Sequence, residues 1–475
     1  MVEVNRTPAE GVDQPAVRLR YRGNSLVPEA HPTFVRRGRR YVTSGRQRYE
    51  NSLLAAVGFL ELFNAVDFPA NVWNRYPVPT FVLALMGLGG SVAIVGACSA
   101  FWDMRRSGKN IGFLLRERRY LKSWCGRVKT SNRPDSTRLL NACLDVNFRE
   151  LGWEVADRFM MDAFMGVGGV IVGAGTLMAI WGDIPAVFRA SNLLSGYVGN
   201  SFGAAYVLIN SAWSIFMWRR AYSHGKAVSR ADGQFEPHVR RRVRSHSGRH
   251  QLYALISGLA VFVAGIGSMI SASMWQGYVV LIPCIIGSVF ANYFWRHKLG
   301  YSRDSVQTWI DVYGFDILGR LKSAIAMHEA LDEKSGKPTD LLPKTSEWTT
   351  NADVLQFLQE NGLYGDFCAG LLKNQADAER VLGRLDDTVI VDPQRILLAD
   401  HELIASAARA CVRRVGRLRF RDEERYLLEL LGCYLCGKDQ TGRPTEEKDR
   451  DYCISPVVHR GQCAEIATSL ESSEK

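Results

Sequence analysis

Three long apolar runs end in the same kind of stretch: AFWDMRR (100–106), IFMWRR (215–220) and NYFWRHK (292–298). Each stretch places an aromatic cluster and a tryptophan directly before basic residues. The indole ring prefers the headgroup region of a bilayer, and the guanidinium group resists crossing the hydrocarbon. The pattern therefore indicates three helices that leave a membrane on its cytosolic side, at Trp102, Trp218 and Trp295.

Six runs of mostly apolar residues are each close to the ~20 residues that a helix needs to cross ~30 Å of hydrocarbon. They occupy 52–72, 79–102, 160–181, 193–218, 251–275 and 277–295. The sequence therefore predicts an all-α fold, a polytopic membrane helix bundle with six spans, over residues 51–300.

The basic residues beside these spans predict the orientation of the bundle. Ten arginines precede the first span, and the segments 103–159 and 219–250 hold thirteen and nine basic residues. The opposite connections carry only Arg75 and Arg189 and the turn between the last two spans carries none. Because basic loops stay in the cytosol, both termini are expected there, which agrees with an even number of spans.

The net charge of +11 lies mainly in these basic segments beside the spans. This placement predicts contact with the lipid bilayer, and with anionic lipid at the basic cytosolic loops 103–159 and 219–250, rather than with nucleic acid. Within the first loop, residues 109–129 predict an amphipathic helix lying in the headgroup layer. A second helix is predicted from about 136 to 158, continuing into the third span. We expect a multi-pass integral membrane protein, of either an endomembrane or the plasma membrane.

The segments outside the spans have distinct compositions. Residues 1–50 are Arg-rich and contain four prolines, which predicts a disordered cytosolic tail. Residues 301–335 follow helical spacing and predict an amphipathic helix beside the membrane. Residues 345–475 predict a small cytosolic all-helical domain with a polar tail, the expected place for a protein partner. Within it, Thr350 to Asp353 is typical of a capping box, and Asp392 followed by Pro393 is typical of a helix start.

One pattern in the C-terminal tail is typical of a metal site. It reads C-x2-C-x22-H-x3-C, with the ligands Cys433, Cys436, His459 and Cys463. Zinc takes four such ligands in a tetrahedron, so zinc is the one cofactor that the sequence suggests. The alternative is that Cys433 and Cys436, which continue an apolar helix, are core thiols.

A few polar residues fall inside the predicted spans. Glu61, Asn64 and Asp67 recur at three-residue steps and share roughly one helix face. Polar candidates on other helices are Asn200, Asn210 and Asn292. The set is either a polar track for a cation or proton, or a neutral Glu61 hydrogen-bonded across a packed interface. Small residues at four-residue spacing, such as Gly169 and Gly173, predict close helix packing.

The predicted function is an accessory or scaffold protein without a catalytic site of its own, acting through its cytosolic C-terminal domain. The alternative is a transporter or channel for a small solute or cation that uses the polar track. A more distant alternative is a lipid-modifying hydrolase, because Gly199–Gly203 matches the G-x-S-x-G motif with Ser201 as nucleophile. No histidine falls within a predicted span to serve that serine as a base.

Overall fold

The computed structural model describes residues 19–22, 25–28, 32–38, 40–43, 48–73, 78–130, 134–231, 235–271, 273–306, 316–332 and 348–440. These residues are predominantly helical, which confirms the predicted all-α class. The helices are α1 (Phe68–Val72), α2 (Thr80–Thr130), α3 (Pro134–Gly152), α4 (Met161–Met178), α5 (Pro185–Asn192), α6 (Asn200–Arg230), α7 (Pro237–Ser271), α8 (Gln276–Phe294), α9 (Ile317–Ala330), α10 (Asn351–Glu360), α11 (Tyr364–Leu371), α12 (Gln375–Leu382), α13 (Pro393–Leu397), α14 (His401–Cys411) and α15 (Arg417–Gln440).

Four helical stretches are long and apolar enough to cross a membrane: Thr80–Cys125, Ser136–Trp181, Pro237–Ser271 and Gln276–Leu299. The second joins α3 to α4 through a π-helical turn, and the fourth extends α8 by another. Many of their large apolar side chains point outward, while buried carboxylates and arginines lie inside. This distribution reverses that of a water-soluble globule, and it is compatible with a membrane protein.

Helix α6 packs against α4 and α7 although it is not among the four apolar stretches. It begins after a π-helical turn at Leu193–Gly199. Its buried face carries Asn200 and Asn210, which lowers its average hydropathy, whereas its outward face carries exposed apolar residues such as Leu208 and Ile215. The polar composition of α6 therefore reflects the inside of the bundle.

The segment predicted as the first span, 52–72, is not one helix. Residues Ala55–Asn64 form a 3₁₀ helix, and α1 follows after a turn. Pro69 accounts for the break, because proline is tolerated in the first turn of a helix but not in its interior. The carboxylate of Asp67 fixes the turn, since it accepts hydrogen bonds from Asn71 at 2.8 Å and from Tyr278 at 3.0 Å.

The basic segments that connect the predicted spans are mostly helical, as expected for 109–129 and 136–158. Helix α2 continues from its apolar part to Thr130, and α3 returns from Pro134. The prediction of a headgroup-layer helix over 109–129 is wrong, because its apolar residues Leu114 and Leu121 are buried in a core shared with α3 and α15. Likewise, α6 and α7 fill much of 219–250. These arginine-rich helix extensions, together with the C-terminal end of α8, are called the basic end of the bundle below.

The tail predicted to be disordered contains short strands. The strands are β1 (Leu19–Arg22), β2 (Ser25–Pro28), β3 (Thr33–Arg37), β4 (Arg40–Thr43) and β5 (Arg48–Tyr49), with β6 (Arg303–Asp304) and β7 (Thr388–Ile390) later in the chain. Strand β3 pairs antiparallel with β4 and β7, and β5 pairs with β6. The prediction fails here because Phe34 is fully buried among the C-terminal helices, a tertiary contact that composition does not reveal. Residues 1–18 lie outside the described part of the chain.

The C-terminal helices surround a core of their own. Thr350 and Asp353 form the predicted capping box of α10, and Asp392 caps α13 with Pro393 at its first position. Helix α15 joins two cores: Phe420 lies in the C-terminal core, and Leu427 lies in the core at the basic end. The C-terminal unit is therefore continuous with the bundle. In the predicted juxtamembrane helix, Ile317 and Leu321 of α9 are buried in protein.

Candidate functional site at the basic end of the bundle

Arg303, in β6, lies between two buried carboxylates from different helices. Its guanidinium donates to Glu117 of α2 at 2.6 and 2.8 Å and to Glu150 of α3 at 2.8 Å. Glu117 also accepts the backbone N–H of Val306 at 2.8 Å. Because all three side chains are buried, this fork of ion pairs fixes the post-bundle segment against the helix hairpin.

A second ion pair fixes the C-terminal helix. Arg149 of α3 donates from Nε to Glu429 of α15 at 2.7 Å and from Nη2 to the Tyr301 hydroxyl at 2.6 Å. Burial opposes ionisation of Glu429, but the Arg149 guanidinium outweighs it and holds the pKa of this carboxyl well below its ordinary value. Glu429 is therefore an anion, and its charge is matched inside the protein.

A third group of charges lies where α2 meets the π-helical turn Trp153–Met160. Arg158 donates to Asp103 at 2.8 Å and to Glu154 at 2.9 Å, and all three side chains are fully buried. Asp162, one helical turn further on, is also fully buried, and it can bond to the neighbouring Asp103 only when one of the two carboxyl groups holds a proton. Arg158 thus pairs with two of these three carboxyl groups.

Three helices meet at a cavity beside the Arg149–Glu429 pair. The lining residues are Met217, Arg220, Ala221, His224, His246, Ser247, His250, Leu428 and Glu429. The empty space, including the open mouth, is about 310 Å³. His246 and His250 are one turn apart on α7, and their Nε2 atoms are 3.2 Å apart. Ligand atoms of His246, His250 and Glu429 all lie within 4.8 Å of one another, so these residues can hold a metal ion.

His224 of α6 closes one side of this cavity. Its Nε2 lies 3.8 Å from the Cys433 sulfur, and its ring packs over Gly432 of α15, where a Cβ would come within 2.9 Å of Nδ1. Burial and the nearby Arg220 guanidinium lower the pKa of His224 to about 3. The imidazole is therefore neutral at neutral pH.

The predicted zinc ligands are only partly described. Cys433 and Cys436 lie one turn apart in α15, within the core at the basic end. Burial raises the pKa of the Cys433 thiol well above its ordinary value, which favours a core thiol rather than a thiolate. His459 and Cys463 lie outside the described residues.

The predicted polar residues within the spans occupy several places. Glu61 is buried and takes part in polar interactions, and Asp67 bonds to Tyr278. Asn210 donates to Asp157 at 3.1 Å, and Asn292 donates to the Leu54 carbonyl at 3.1 Å.

Two further residues of that set remain. Asn200 donates to the Ser268 carbonyl at 3.4 Å, and the side chain of Asn64 lies outside the described part. Asn200 also lies within reach of the Asp67 carboxyl, so the structure brings these two predicted residues together, whereas Asn210 and Asn292 bond to residues outside the set.

Ser201 lies in the interior of the helix that follows Leu193–Gly199. Its hydroxyl donates to the Val198 carbonyl at 2.7 Å, and the side chain is exposed on the outer surface of the bundle. A nucleophile elbow needs a sharp turn between a strand and a helix. The Gly199–Gly203 segment does not have this geometry.

Sequence reasoning missed the residues that converge at the basic end. His246 and His250 have the H-x3-H spacing that places two imidazoles on one helix face, and this spacing is visible in the sequence. Arg158 and Glu154 were expected on a helix beside the membrane, but its spacing does not show that Asp103 of α2 would lie next to them. Glu429 is 179 residues from His250, so only the tertiary structure brings them together.

Comparisons with known proteins add no functional information. No protein-family profile, no curated protein and no solved structure matches this chain. Its function is therefore inferred from the chemistry of its own residues.

Proposed function

We propose that this protein is a multi-pass integral membrane protein that serves as an accessory or scaffold, holding its C-terminal helical unit in a fixed position on a membrane bundle. The observation that carries the proposal is the docking of α15 through the buried Arg149–Glu429 pair, while the Arg303 fork holds the segment after the bundle to α2 and α3. Buried ion pairs contribute little net stability but specify one arrangement when every partner is present. A unit held in this way is suited to presenting a surface at a constant height above a bilayer.

Six crossings remain the preferred topology, supported by the connections between the four apolar stretches. Helix α4 ends at Met178, far from the basic end, whereas α7 begins at it. The chain between them must therefore return across the same layer, and α6 is the helix that does so. The segment 52–72 makes the corresponding passage between β5 and α2. Pairing of β3 with β7 and of β5 with β6 brings a segment before the bundle next to segments after it, which agrees with an even number of crossings.

Contact with anionic lipid at the basic end is part of the proposal. Exposed cations there include Arg105, Lys109 and Arg219, close along the chain to Trp102 and Trp218, which are 67% and 42% exposed. Interfacial tryptophans and nearby cations suit the headgroup layer. Trp295 was expected at the membrane surface, but its side chain is buried. Its ring is stacked on that of Trp153, with ring centroids 4.1 Å apart.

We propose that exposed apolar side chains of the C-terminal unit contact a protein partner. Leu398, after α13, is 87% exposed, and Ile390 in β7 is 61% exposed. Large apolar side chains exposed to water are typical of interaction sites when they cluster, so the two are tested together.

Replacing both apolar residues with aspartate (I390D with L398D) is expected to reduce the amount of any specific co-purifying protein at least tenfold, because a desolvated charge opposes docking. The measurement is quantitative capture of the full-length protein from mild detergent, after tags at both ends have been shown to be reachable only from the cytosol. Gln394→Asp, at an exposed site on α13, is the matched control. Equal capture by the double variant and the control would count against the scaffold function, as would a tag on the opposite side.

A second candidate, proton or cation transport, is favoured by Asp162. A carboxyl buried in an apolar helix without a hydrogen-bond partner is costly unless it binds a proton or meets water. Asp103 and Glu154 lie close to it, so protons or cations have neighbouring acceptors. In the transport hypothesis, Asp162 therefore takes the role that the sequence suggested for Glu61.

Asp162→Asn is expected to abolish ion uptake if the second candidate is correct, because the amide cannot exchange a proton or bind a cation strongly. The measurement is dye-reported proton and cation flux into liposomes under an imposed potential. Asp183→Asn, at an exposed residue between α4 and α5, should leave the flux unchanged. Wild-type flux no greater than that of protein-free liposomes would eliminate transport.

A further inference from the structure

The cavity between α6, α7 and α15 has the geometry of a metal site. Two imidazole nitrogens bound to one tetrahedral zinc ion, at ~2.0–2.1 Å each, lie ~3.3 Å from each other. The Nε2 atoms of His246 and His250 are 3.2 Å apart. The ligand atoms of these two residues and of Glu429 lie within 4.8 Å of one another. The three side chains are therefore already close to the arrangement that an ion requires.

The same residues retain unused bonding capacity. Nδ1 of His250 is buried and has no hydrogen-bond partner among the described residues. Arg149 takes up one lone pair on each oxygen of Glu429, and the Tyr301 hydroxyl lies 3.2 Å from Oε2, which leaves Oε1 a further lone pair. Nδ1 lies on the other side of the ring from Nε2, so it is not the atom that would bind the ion. The Nε2 atom of His250 has the Nε2 atom of His246 as its neighbour, at a distance that suits either a hydrogen bond between the rings or a shared metal ion. The cavity has room for little more than one ion-sized occupant.

The charges around the cavity are mixed. Arg149 is paired with Glu429, and Arg220 lies 3.8 Å from the same carboxylate. Arg249 and Arg425 also lie near His246. The carboxylate of Glu429 is therefore the negative charge that offsets the repulsion between a metal ion and these guanidinium groups.

The donor set selects the class of ion. Two imidazoles and one carboxylate suit zinc and related transition metals, whereas magnesium and calcium prefer all-oxygen sites. The spacing on α7 equals that of the H-E-x-x-H zinc motif, but Ser247 stands where that motif has its glutamate general base. The chemistry thus supports metal binding, and a hydrolytic reaction at this ion has no general base of that kind.

We propose that His246, His250 and Glu429 bind one zinc-class transition-metal ion that joins α7 to the C-terminal helix α15, with His224 at the edge of the site. The ion connects a helix of the bundle to the helix that carries the C-terminal unit, so its binding stabilises their contact. This inference is independent of the scaffold function, because metal content is measured whether or not a partner exists.

The test uses full-length protein purified in detergent with a non-histidine tag, loaded with zinc chloride and separated from free metal. Elemental analysis is expected to find about one zinc per chain in the wild type. His246→Gln and His250→Gln should each lower this content at least fivefold. Cobalt in place of zinc should produce the visible absorption of a tetrahedral site in the wild type and lose it in both variants.

Control variants distinguish this site from zinc bound at the surface or in the C-terminal tail. His238→Gln, at an exposed position of the same helix, should retain the wild-type zinc content. The thermal midpoint of each metal-free variant should equal that of the metal-free wild type, and added zinc should raise only the wild-type and His238→Gln midpoints. Zinc content that persists in the His246→Gln/His250→Gln double variant, or that is lost in Cys463→Ser instead, would overturn the proposal and favour the C-terminal tail. A wild-type protein without bound zinc would also overturn it.

Discussion

Replacing Arg303 with methionine lowers the free energy of unfolding by about 3–5 kcal/mol, the range found when one partner of a buried ion pair is removed. The reason is that Glu117 and Glu150 remain buried without the guanidinium that donates to both. The measurement is the midpoint of denaturant unfolding in detergent, followed by tryptophan fluorescence. Labelling of the buried Cys143 thiol is an independent readout.

An exposed arginine is the control that tests whether burial of the ion pair causes the loss of stability. Arg417 pairs with Asp332 at the surface, where its side chain is 51% exposed, so Arg417→Met should change the free energy by less than ~1 kcal/mol. The triple variant R303M/E117Q/E150Q should recover more than half of the loss, because it removes the charges that were left unpaired. If Arg303→Met is as stable as the wild type, the fork does not hold β6 to the helix hairpin.

Replacing Gly173 with valine is expected to destabilise the bundle by ~1–3 kcal/mol, the usual cost of overpacking. A Cβ at Gly173 would lie 2.8 Å from the Gly90 carbonyl oxygen and 2.9 Å from Ile94, so α2 and α4 would have to separate. Close backbone approach is a main source of helix association within a bilayer, where the hydrophobic effect between helices is lost. Thermal unfolding and size-exclusion profiles in detergent measure the effect.

Gly87 gives the comparison within the same helix pair. A Cβ there has nothing within 4 Å, so Gly87→Val should keep the wild-type midpoint. If both valine variants unfold alike, the close contact between α2 and α4 does not contribute to stability. The prediction of tight packing at Gly169 and Gly173, made from spacing alone, would then fail as well.

Some features of the fold were predictable because they depend on neighbouring residues. The capping box at Thr350 and the Asp392–Pro393 start of α13 use local hydrogen bonds, which sequence patterns report reliably. The continuation of the helix before residue 158 into the third predicted span was also expected, and it appears as the stretch Ser136–Trp181.

Other predictions were wrong, and the physical reason is equally clear. The apolar face of 109–129 predicted a helix in the headgroup layer, because an apolar face must be covered and lipid was the nearest candidate. In the folded chain α3 and α15 cover it instead. Phe34 likewise had no visible partner in the sequence, yet the C-terminal core buries it completely. Composition shows that an apolar face must be buried, but it does not show which segment of the chain buries it.

The sequence by itself determined the helical class, the long apolar stretches and the concentration of basic residues beside them, because these follow from residue type and short-range spacing. Only the tertiary structure decided that arginines and carboxylates outside the predicted spans are buried together, and that His246, His250 and Glu429 meet at one cavity. The reason is that long-range pairing depends on which helices become neighbours. The energy of a buried charge depends on that arrangement far more than on the residues next to it in the chain.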